Sequence, residues 1–349
     1  YPGDSATGTP IRTTTNGTEG VISFAPIPYT LADVGSKTYT VVEKPGSLGG
    51  VTYATNSYEV TVTIADGGNG QLTVTPSSNY NQLNFTNTYG ATGSVTLSGQ
   101  KTLSGRDLID GEFTFEVYAG NTATGSPIRT ATNGTGGVIS FDPILYNLAD
   151  VGIKTYTVVE KAGALGGVTY DTAEYTVTVT IADAGNGQLT VTPSVNYDDL
   201  DFENTYTASG DVTFSGQKTL TGRDLEAGEF TFELFAGASA TGTPIDTATH
   251  LADGTYAFQK ITYTLADVKN SPFTYTVKEA SGTVGGVVYA TNTYTVTVTL
   301  ADKGDGTLTV TPSANYDDLD FTNTYGATGS VTLSGAKSLT GRDLTAGEF

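Results

Sequence analysis

The sequence contains no cysteine, no methionine and no tryptophan, and its single histidine is His250. The missing cysteines exclude disulfide bonds, thiolate nucleophiles, iron–sulfur clusters and cysteine-based zinc sites. Basic residues are also scarce, because 16 Lys and Arg stand against 36 Asp and Glu, for a net charge of −20. This charge disfavours a nucleic-acid partner and binding to anionic membranes, since both require a basic surface. We expect no cofactor and no metal.

Long apolar runs are absent as well, which predicts that the chain does not insert into a membrane. No signal peptide is visible, and the missing methionine predicts a processed chain or a window cut from a longer sequence. Glycine is abundant, with 44 residues, but 37% hydrophobic and 10% aromatic residues argue against disorder. A length of 349 residues corresponds to two or three folded domains.

Internal repeats define the organisation of the chain. The segment Tyr-Thr-Val-Val-Glu ends at Glu43 and again at Glu160, which is 117 residues further on, and a similar segment ends at Glu279, after another 119. A period of this length predicts tandem globular domains rather than a solenoid of short repeats. The predicted units are residues 1–89, a unit without its first strand; 93–206 and 210–325, both complete; and 329–349, the first strand of a further unit.

Each unit has the sequence pattern of β-strands joined by turns. Residues 175–181 alternate large apolar residues with Thr, which is typical of a half-buried strand. The Gly-Asn-Gly segment at 185–187 then supplies the turn of a hairpin. Many short strands in about 117 residues predict an all-β fold, with tandem immunoglobulin-like β-sandwich domains arranged end to end. His250 lies in an apparent loop, and we expect it on the surface.

Three polar positions in each complete unit share the parity of the apolar residues in their strands, which predicts that they point into the core. In the unit 93–206 they are Lys101 in the first strand, Glu160 in a middle strand and Asn204 in the last. The corresponding residues elsewhere are Lys218, Glu279 and Asn323 in the unit 210–325, Glu43 and Asn87 in the unit 1–89, and Lys337 near the end of the chain.

A buried Lys and Glu are costly as ions, but transfer of the proton from Lys to Glu leaves both neutral. The neutral amine is then a nucleophile beside the electrophilic carbonyl of the Asn amide. A protonated Glu between them can polarise that carbonyl and pass protons to the departing ammonia. The product is a Lys–Asn isopeptide bond that the protein forms once, on itself. The alternative is a buried hydrogen-bonded cluster without covalent chemistry.

The motifs Lys-Thr-Leu-x-Gly-Arg-Asp-Leu, Tyr-Thr-Val-Val-Glu and Phe-x-Asn-Thr-Tyr resemble the Gram-positive pilin isopeptide-linkage domain, a Cna B-type sandwich. The resemblance implies two cross-links and their proton shuttles, and leaves three positions without partners. The implied cross-links are Lys101–Asn204, with Glu160 as the proton shuttle, and Lys218–Asn323, with Glu279. The positions without partners are the orphan equivalents Glu43, Asn87 and Lys337.

The sequence therefore predicts a structural repeat array in an extracellular bacterial fibre, either a pilus shaft or the stalk of a surface adhesin. No turnover enzyme is expected beyond the single self-modification. The alternative is an adhesin module whose Thr-rich strands recognise a host or other surface ligand. The expected partners are copies of the same chain. Strand 330–349 of a neighbour could complete the unit 1–89 and place Lys337 beside Glu43 and Asn87.

Overall fold

A computed structural model describes all 349 residues. Their contacts define two compact units, of which the first comprises residues 1–102, 108–161 and 171–202, and the second residues 103–107, 162–170 and 203–349. The regular secondary structure of both is almost entirely strand. The five helices are short 3-10 turns at Thr18–Gly20, Leu31–Asp33, Thr135–Gly137, Leu148–Asp150 and Leu265–Asn270. None of the helices is long and apolar enough to cross a bilayer.

The first repeat has five strands: β1 (Gly35–Val42), β2 (Val51–Thr52), β3 (Ser57–Asp66), β4 (Leu72–Pro76) and β5 (Thr88–Tyr89). They form a three-stranded sheet, β1-β3-β4, and a two-stranded sheet, β2-β5. The buried apolar residues of this repeat are Val60, Val62 and Ile64 of β3. Their spacing of two residues shows that one face of β3 is packed and the other carries threonines.

The second repeat has eleven strands: β6 (Thr92–Val95), β7 (Ser98–Ser104), β8 (Thr114–Ala119), β9 (Arg129–Thr132), β10 (Val138–Ser140), β11 (Ile144–Asn147), β12 (Gly152–Glu160), β13 (Val168–Thr169), β14 (Glu174–Asp183), β15 (Leu189–Pro193) and β16 (Phe202–Tyr206). Its largest sheet has the order β15-β14-β12-β8-β9. Strand β14 contains the predicted strand 175–181, which is confirmed.

The third repeat lies within one compact unit and has the same number of strands: β17 (Ser209–Val212), β18 (Ser215–Thr221), β19 (Thr231–Ala236), β20 (Asp246–Thr249), β21 (Thr255–Ala257), β22 (Ile261–Thr264), β23 (Phe273–Glu279), β24 (Val287–Val288), β25 (Thr293–Asp302), β26 (Leu308–Pro312) and β27 (Phe321–Tyr325). They form sheets with the orders β20-β19-β23-β25-β26, β21-β18-β27-β24 and β17-β22.

The core of the third repeat draws side chains from both larger sheets. Phe232, Val277 and Val296 come from the five-stranded sheet, and Tyr256 and Phe321 come from the four-stranded sheet. In β25 the apolar residues are buried and the intervening threonines are exposed, as alternation along a strand requires. The arrangement is a β-sandwich, and the all-β fold class predicted from the sequence is confirmed.

The first and last long strands of the third repeat, β18 and β27, are parallel neighbours. Their register pairs Lys218 with Phe321 and Leu220 with Asn323. The strands approach closely at Gly216, where an added Cβ would lie 2.6 Å from the carbonyl carbon of Leu319. The sequence needs glycine here because even a methyl group would overlap the neighbouring backbone.

The segment 326–349 forms no strand, which differs from the predicted first strand of a further unit. Val331 and Leu333, which would face a core, are 81% and 89% exposed. A strand is stabilised by the ladder and the apolar surface of its neighbours, and no strand of this chain pairs with the segment.

We expect Gly216→Ala to destabilise the third repeat by about 1–3 kcal/mol, because the added methyl group overpacks the contact with Leu319. The matched control is Gly335→Ala at the equivalent position of the segment 326–349, where an added Cβ meets nothing within 4 Å. Scanning calorimetry of the dilute chain measures both variants. Equal unfolding temperatures for the two would contradict the close approach.

Candidate isopeptide cross-linking site

The third repeat places Lys218, Glu279 and Asn323 together in its core. Lys218 lies on β18, Glu279 at the end of β23 and Asn323 in the middle of β27. Their exposed fractions are 1%, 5% and 0%. Alternation along the three strands directs all three polar groups inward, so that a potential cation, an anion and an amide share one water-excluded space.

One carboxylate oxygen links the other two groups. Nζ of Lys218 lies 2.9 Å from Oε1 of Glu279. Nδ2 of Asn323 donates a hydrogen bond to the same Oε1 at 2.8 Å. The amine and the amide are therefore both within hydrogen-bond distance of a single oxygen atom, which is the position that a proton shuttle between them requires.

The carbonyl of Asn323 has its own hydrogen-bond donor. The backbone N–H of Ala290 donates to Oδ1 of Asn323 at 2.7 Å and lies 3.2 Å from Oε2 of Glu279. A backbone donor on a carbonyl oxygen stabilises the negative charge that develops there during attack on the carbon. Sequence reasoning missed Ala290, because a backbone N–H leaves no signal in the residue type.

The surroundings of Lys218 disfavour its charged form. Burial is the largest influence and lowers the pKa of the Lys218 amine, although Glu279 opposes this effect. The ring of Phe230 lies 4.6 Å from Nζ, and this cation–π contact also favours the charged form. Nζ of Lys218 lies within hydrogen-bond distance of Glu279 but forms no hydrogen bond. The contact is therefore an ion pair. A desolvated amine with a lowered pKa is closer to its nucleophilic form.

The second repeat shows the same contact between lysine and glutamate. Nζ of Lys101 lies 3.0 Å from Oε2 of Glu160, and both side chains are fully inaccessible. The ring of Phe113 is 4.9 Å from this Nζ, as Phe230 is near Lys218. Asn204 is fully buried on β16. Each residue predicted for this repeat is therefore in the protein interior.

The first repeat contains the Glu and Asn half of the arrangement. Nδ2 of Asn87 donates to Oε1 of Glu43 at 2.7 Å. The N–H of Ala54 donates to Oδ1 of Asn87 at 2.8 Å and to Oε2 of Glu43 at 3.3 Å. These contacts match those of Glu279 and Asn323, but Asn87 is exposed. The pair therefore assembles without a lysine.

Lys337 does not point into a core in this structure, contrary to the parity prediction. It lies exposed in the segment 326–349, with Nζ 5.0 Å from the ring of Phe349. The physical reason is the same as for the missing strand. Parity assigns a side chain to a buried face only when a sheet is present to cover that face.

The prediction of a surface position for His250 is wrong, since this residue is 2% exposed. Nε2 of His250 accepts a hydrogen bond from the N–H of Phe230 at 3.2 Å, and Nδ1 lies 2.8 Å from the carbonyl oxygen of Leu251. In the second repeat, Asn133 is aligned with His250 and accepts from the N–H of Phe113 at 2.8 Å. The alignment of His250 with Asn133 was the sequence signal that could have indicated this acceptor role.

We expect His250→Ala to destabilise the third repeat by about 1–3 kcal/mol, because the buried N–H of Phe230 loses its acceptor. His250→Asn should retain most of the stability, since Asn133 performs the same task one repeat earlier. Leu251→Ala, at a residue that is 63% exposed, is the control with a change of at most about 0.5 kcal/mol. Denaturant unfolding measures all three, and equal losses for Ala and Asn would contradict the acceptor role.

The fold and the buried triad define a class of tandem β-sandwich proteins with a Lys–Glu–Asn core. The sequence matches the model of the FctA family, described as a Spy0128-like isopeptide-containing domain, at residues 2–90, 97–207 and 214–326. The chain therefore belongs to this family of pilin domains. No curated protein matches the chain.

Solved structures of pilins and pilus adhesins are similar to this chain. The major pilin protein T-13 of Streptococcus pyogenes has 19% sequence identity and a TM-score of 0.23, with 68% of this chain and 99% of that chain covered. A C-terminal fragment of the pilus adhesin SpaC of Lactobacillus rhamnosus GG has 14% identity and a TM-score of 0.23, with 68% and 100% covered.

Proposed function

We propose that the chain is a structural repeat array of an extracellular fibre on a Gram-positive bacterium, reinforced by Lys–Asn isopeptide bonds. The proposed bonds are Lys101–Asn204 and Lys218–Asn323, in the repeats 93–206 and 210–325. The observation that carries the proposal is the single Oε1 of Glu279 within hydrogen-bond distance of both the Lys218 amine and the Asn323 amide.

The reaction begins with transfer of a proton from Nζ of Lys218 to Glu279, which leaves both groups neutral inside the core. The lone pair of Nζ attacks Cγ of Asn323, while the N–H of Ala290 stabilises the oxyanion. Glu279 then delivers a proton to Nδ2 and accepts one from Nζ. The Cγ–Nδ2 bond breaks, ammonia leaves, and the Nζ–Cγ amide bond remains.

The bond would join the strands that open and close the repeat. Lys218 and Asn323 are 105 residues apart in the chain, so the bond closes almost the whole domain into a loop. By the chain-entropy model used for disulfides, a loop of this size contributes about 4–5 kcal/mol. Because β18 and β27 are adjacent, tension on the two ends of the repeat would pass through the covalent bond instead of separating the strands.

The expected intact mass of the chain is lower than the sequence mass by two molecules of ammonia, one for each complete repeat. The expected mass loss falls to one ammonia in each of three variants, Lys218→Ala, Glu279→Ala and Asn323→Ala. They remove the nucleophile, the proton shuttle and the electrophile of the third repeat, respectively. Intact mass spectrometry measures the loss, and fragmentation locates the linked peptides.

Lys278→Ala is the matched control for these variants. Lys278 lies next to Glu279 in β23 and forms an ion pair with Glu233 at 3.2 Å, outside the triad. This variant should retain both ammonia losses. An unshifted mass for the parent chain would overturn the covalent proposal and leave a hydrogen-bonded cluster.

We also propose that the segment 330–349 of one copy completes the first repeat of another. The first repeat presents Glu43 and Asn87 with amide and carboxylate already hydrogen-bonded. The segment carries Lys337 and exposes the apolar residues Val331 and Leu333. In the third repeat the equivalent strand, β18, supplies Lys218 to the same kind of pair, so a second copy would bring together the missing lysine and its partners.

Concentrated chain is expected to form oligomers that survive boiling in SDS, because a Lys337–Asn87 bond joins neighbouring copies. Lys337→Ala and Asn87→Ala should each abolish them, while Lys303→Ala, at another exposed lysine, should not. Denaturing gel electrophoresis with mass spectrometry of the bands provides the measurement. Covalent oligomers that persist in Lys337→Ala would refute this pairing.

A further inference from the structure

The same contact occurs twice along the chain, once in each compact unit, between the end of one repeat and a hairpin turn of the next. The hydroxyl of Tyr89 donates to Oδ1 of Asp183 at 2.8 Å and accepts from the N–H of Gly187 at 3.2 Å. The hydroxyl of Tyr206 donates to Asp302 at 2.7 Å and accepts from the N–H of Gly306 at 3.2 Å. We call this contact the repeat joint.

A pair of glycines completes each repeat joint. An added Cβ on Gly49 would overlap the carbonyl oxygen of Asn186, and one on Gly166 would overlap that of Asp305. The backbones therefore meet without room for a side chain. The first residues of the next repeat add a hydrogen bond, because the N–H of Ser209 donates to the carbonyl oxygen of Gly306 at 3.3 Å.

The third repeat carries the donor half of a repeat joint without an acceptor. Tyr325 and Gly285 occupy the positions of Tyr206 and Gly166 in the repeat sequence. An added Cβ on Gly285 meets nothing within 4 Å. Ala327, whose equivalents Ala91 and Ala208 are 3% and 4% exposed, is exposed here.

The first repeat carries the acceptor half, already folded. Oδ1 of Asp66 accepts from the N–H of Gly68 at 2.9 Å, and Asp183 accepts from Gly185 at the same distance. The φ of Gly70 is 83°, against 84° for Gly187. Next to this turn is a groove of about 420 Å³, whose lining includes Tyr29, Leu31, Asp66, Gly70 and Leu72.

The other two repeats show what fits this groove. In the second repeat, β6 pairs with β11, so that Gly93 lies opposite Tyr146 and Thr92 lies opposite Asn147. Tyr146 and Asn147 are the equivalents of Tyr29 and Thr30 in the first repeat. In the third, β17 pairs with β22 in the same way. Residues 328–331 correspond to β6 and β17, Ala327 precedes them, and all five are exposed. The surface that would fill the groove is therefore present on this chain.

We propose that the turn at 66–70 and its groove bind a second copy of this chain through Gly285, Gly286, Tyr325 and residues 327–331. Tyr325 then donates to Asp66 and accepts from the N–H of Gly70, as the two internal joints do. The proposal rests on the proposed fibre function. It adds a recognition surface outside the Lys–Glu–Asn triad, which sets the contact between copies before any covalent bond forms.

Gly285→Ala tests the joint with little effect on folding, because the added methyl group meets nothing in the isolated chain but would overlap Asn69 in the joint. The control is Gly326→Ala, whose added Cβ also meets nothing within 4 Å and whose equivalent in the second repeat, Thr207, already has a side chain. Both changes are made in chains carrying Lys337→Ala, so that association is reversible, and sedimentation equilibrium measures the dissociation constant.

The expected result is a dissociation constant raised about tenfold to a hundredfold by Gly285→Ala and unchanged by Gly326→Ala. Tyr325→Phe should raise it about tenfold or more, because Asp66 loses a hydrogen-bond donor. Equal association of the Gly285→Ala and Gly326→Ala chains, or no self-association of the Lys337→Ala parent, overturns the joint. Failure of the isopeptide proposal is seen separately, as a full-length mass without ammonia loss.

Discussion

The structure depends on the burial of a lysine amine and a glutamate carboxylate in the middle of a small β-sandwich. Two uncompensated ions in that position would cost several kcal/mol each. The cost is limited because Lys218, Glu279 and Asn323 share one carboxylate oxygen and the backbone N–H of Ala290 serves the remaining acceptors. The parallel register of β18 with β27 and the close approach at Gly216 keep Lys218 and Asn323 on neighbouring strands in the core.

The three repeats show which part of the site assembles by itself. Glu43 and Asn87 keep the hydrogen bonds of Glu279 and Asn323 although no lysine is beside them and Asn87 is exposed. The carboxylate and amide are therefore positioned by the middle and last strands. The lysine strand adds the amine and covers the amide, since Lys218 and Asn323 are both inaccessible in the third repeat.

Much of the fold could be predicted from the sequence, because the repeats and the alternation of Thr with Val or Ile identify strands and their buried faces. The alternation also predicted the inward direction of Lys101 and Lys218. It was wrong for Lys337, since parity has no meaning without a neighbouring strand. It gave nothing for His250, where the role depends on the backbone N–H of Phe230. The sequence also did not predict the backbone N–H donor of Ala290 or the repeat joints, because these are formed by backbone groups and turns.

The sequence by itself determined the repeat period, the β-sandwich class and the residue types whose chemistry is possible in a core without cysteine. These properties depend on the order of residues along one strand or on the comparison of one repeat with another. The tertiary structure alone decided that one oxygen of Glu279 serves both the lysine and the asparagine, that His250 is buried, and that Tyr89 and Tyr206 bind the turn of the following repeat. Such contacts join residues 20 to 100 positions apart, and their geometry is set by sheet register and packing, which local patterns do not encode.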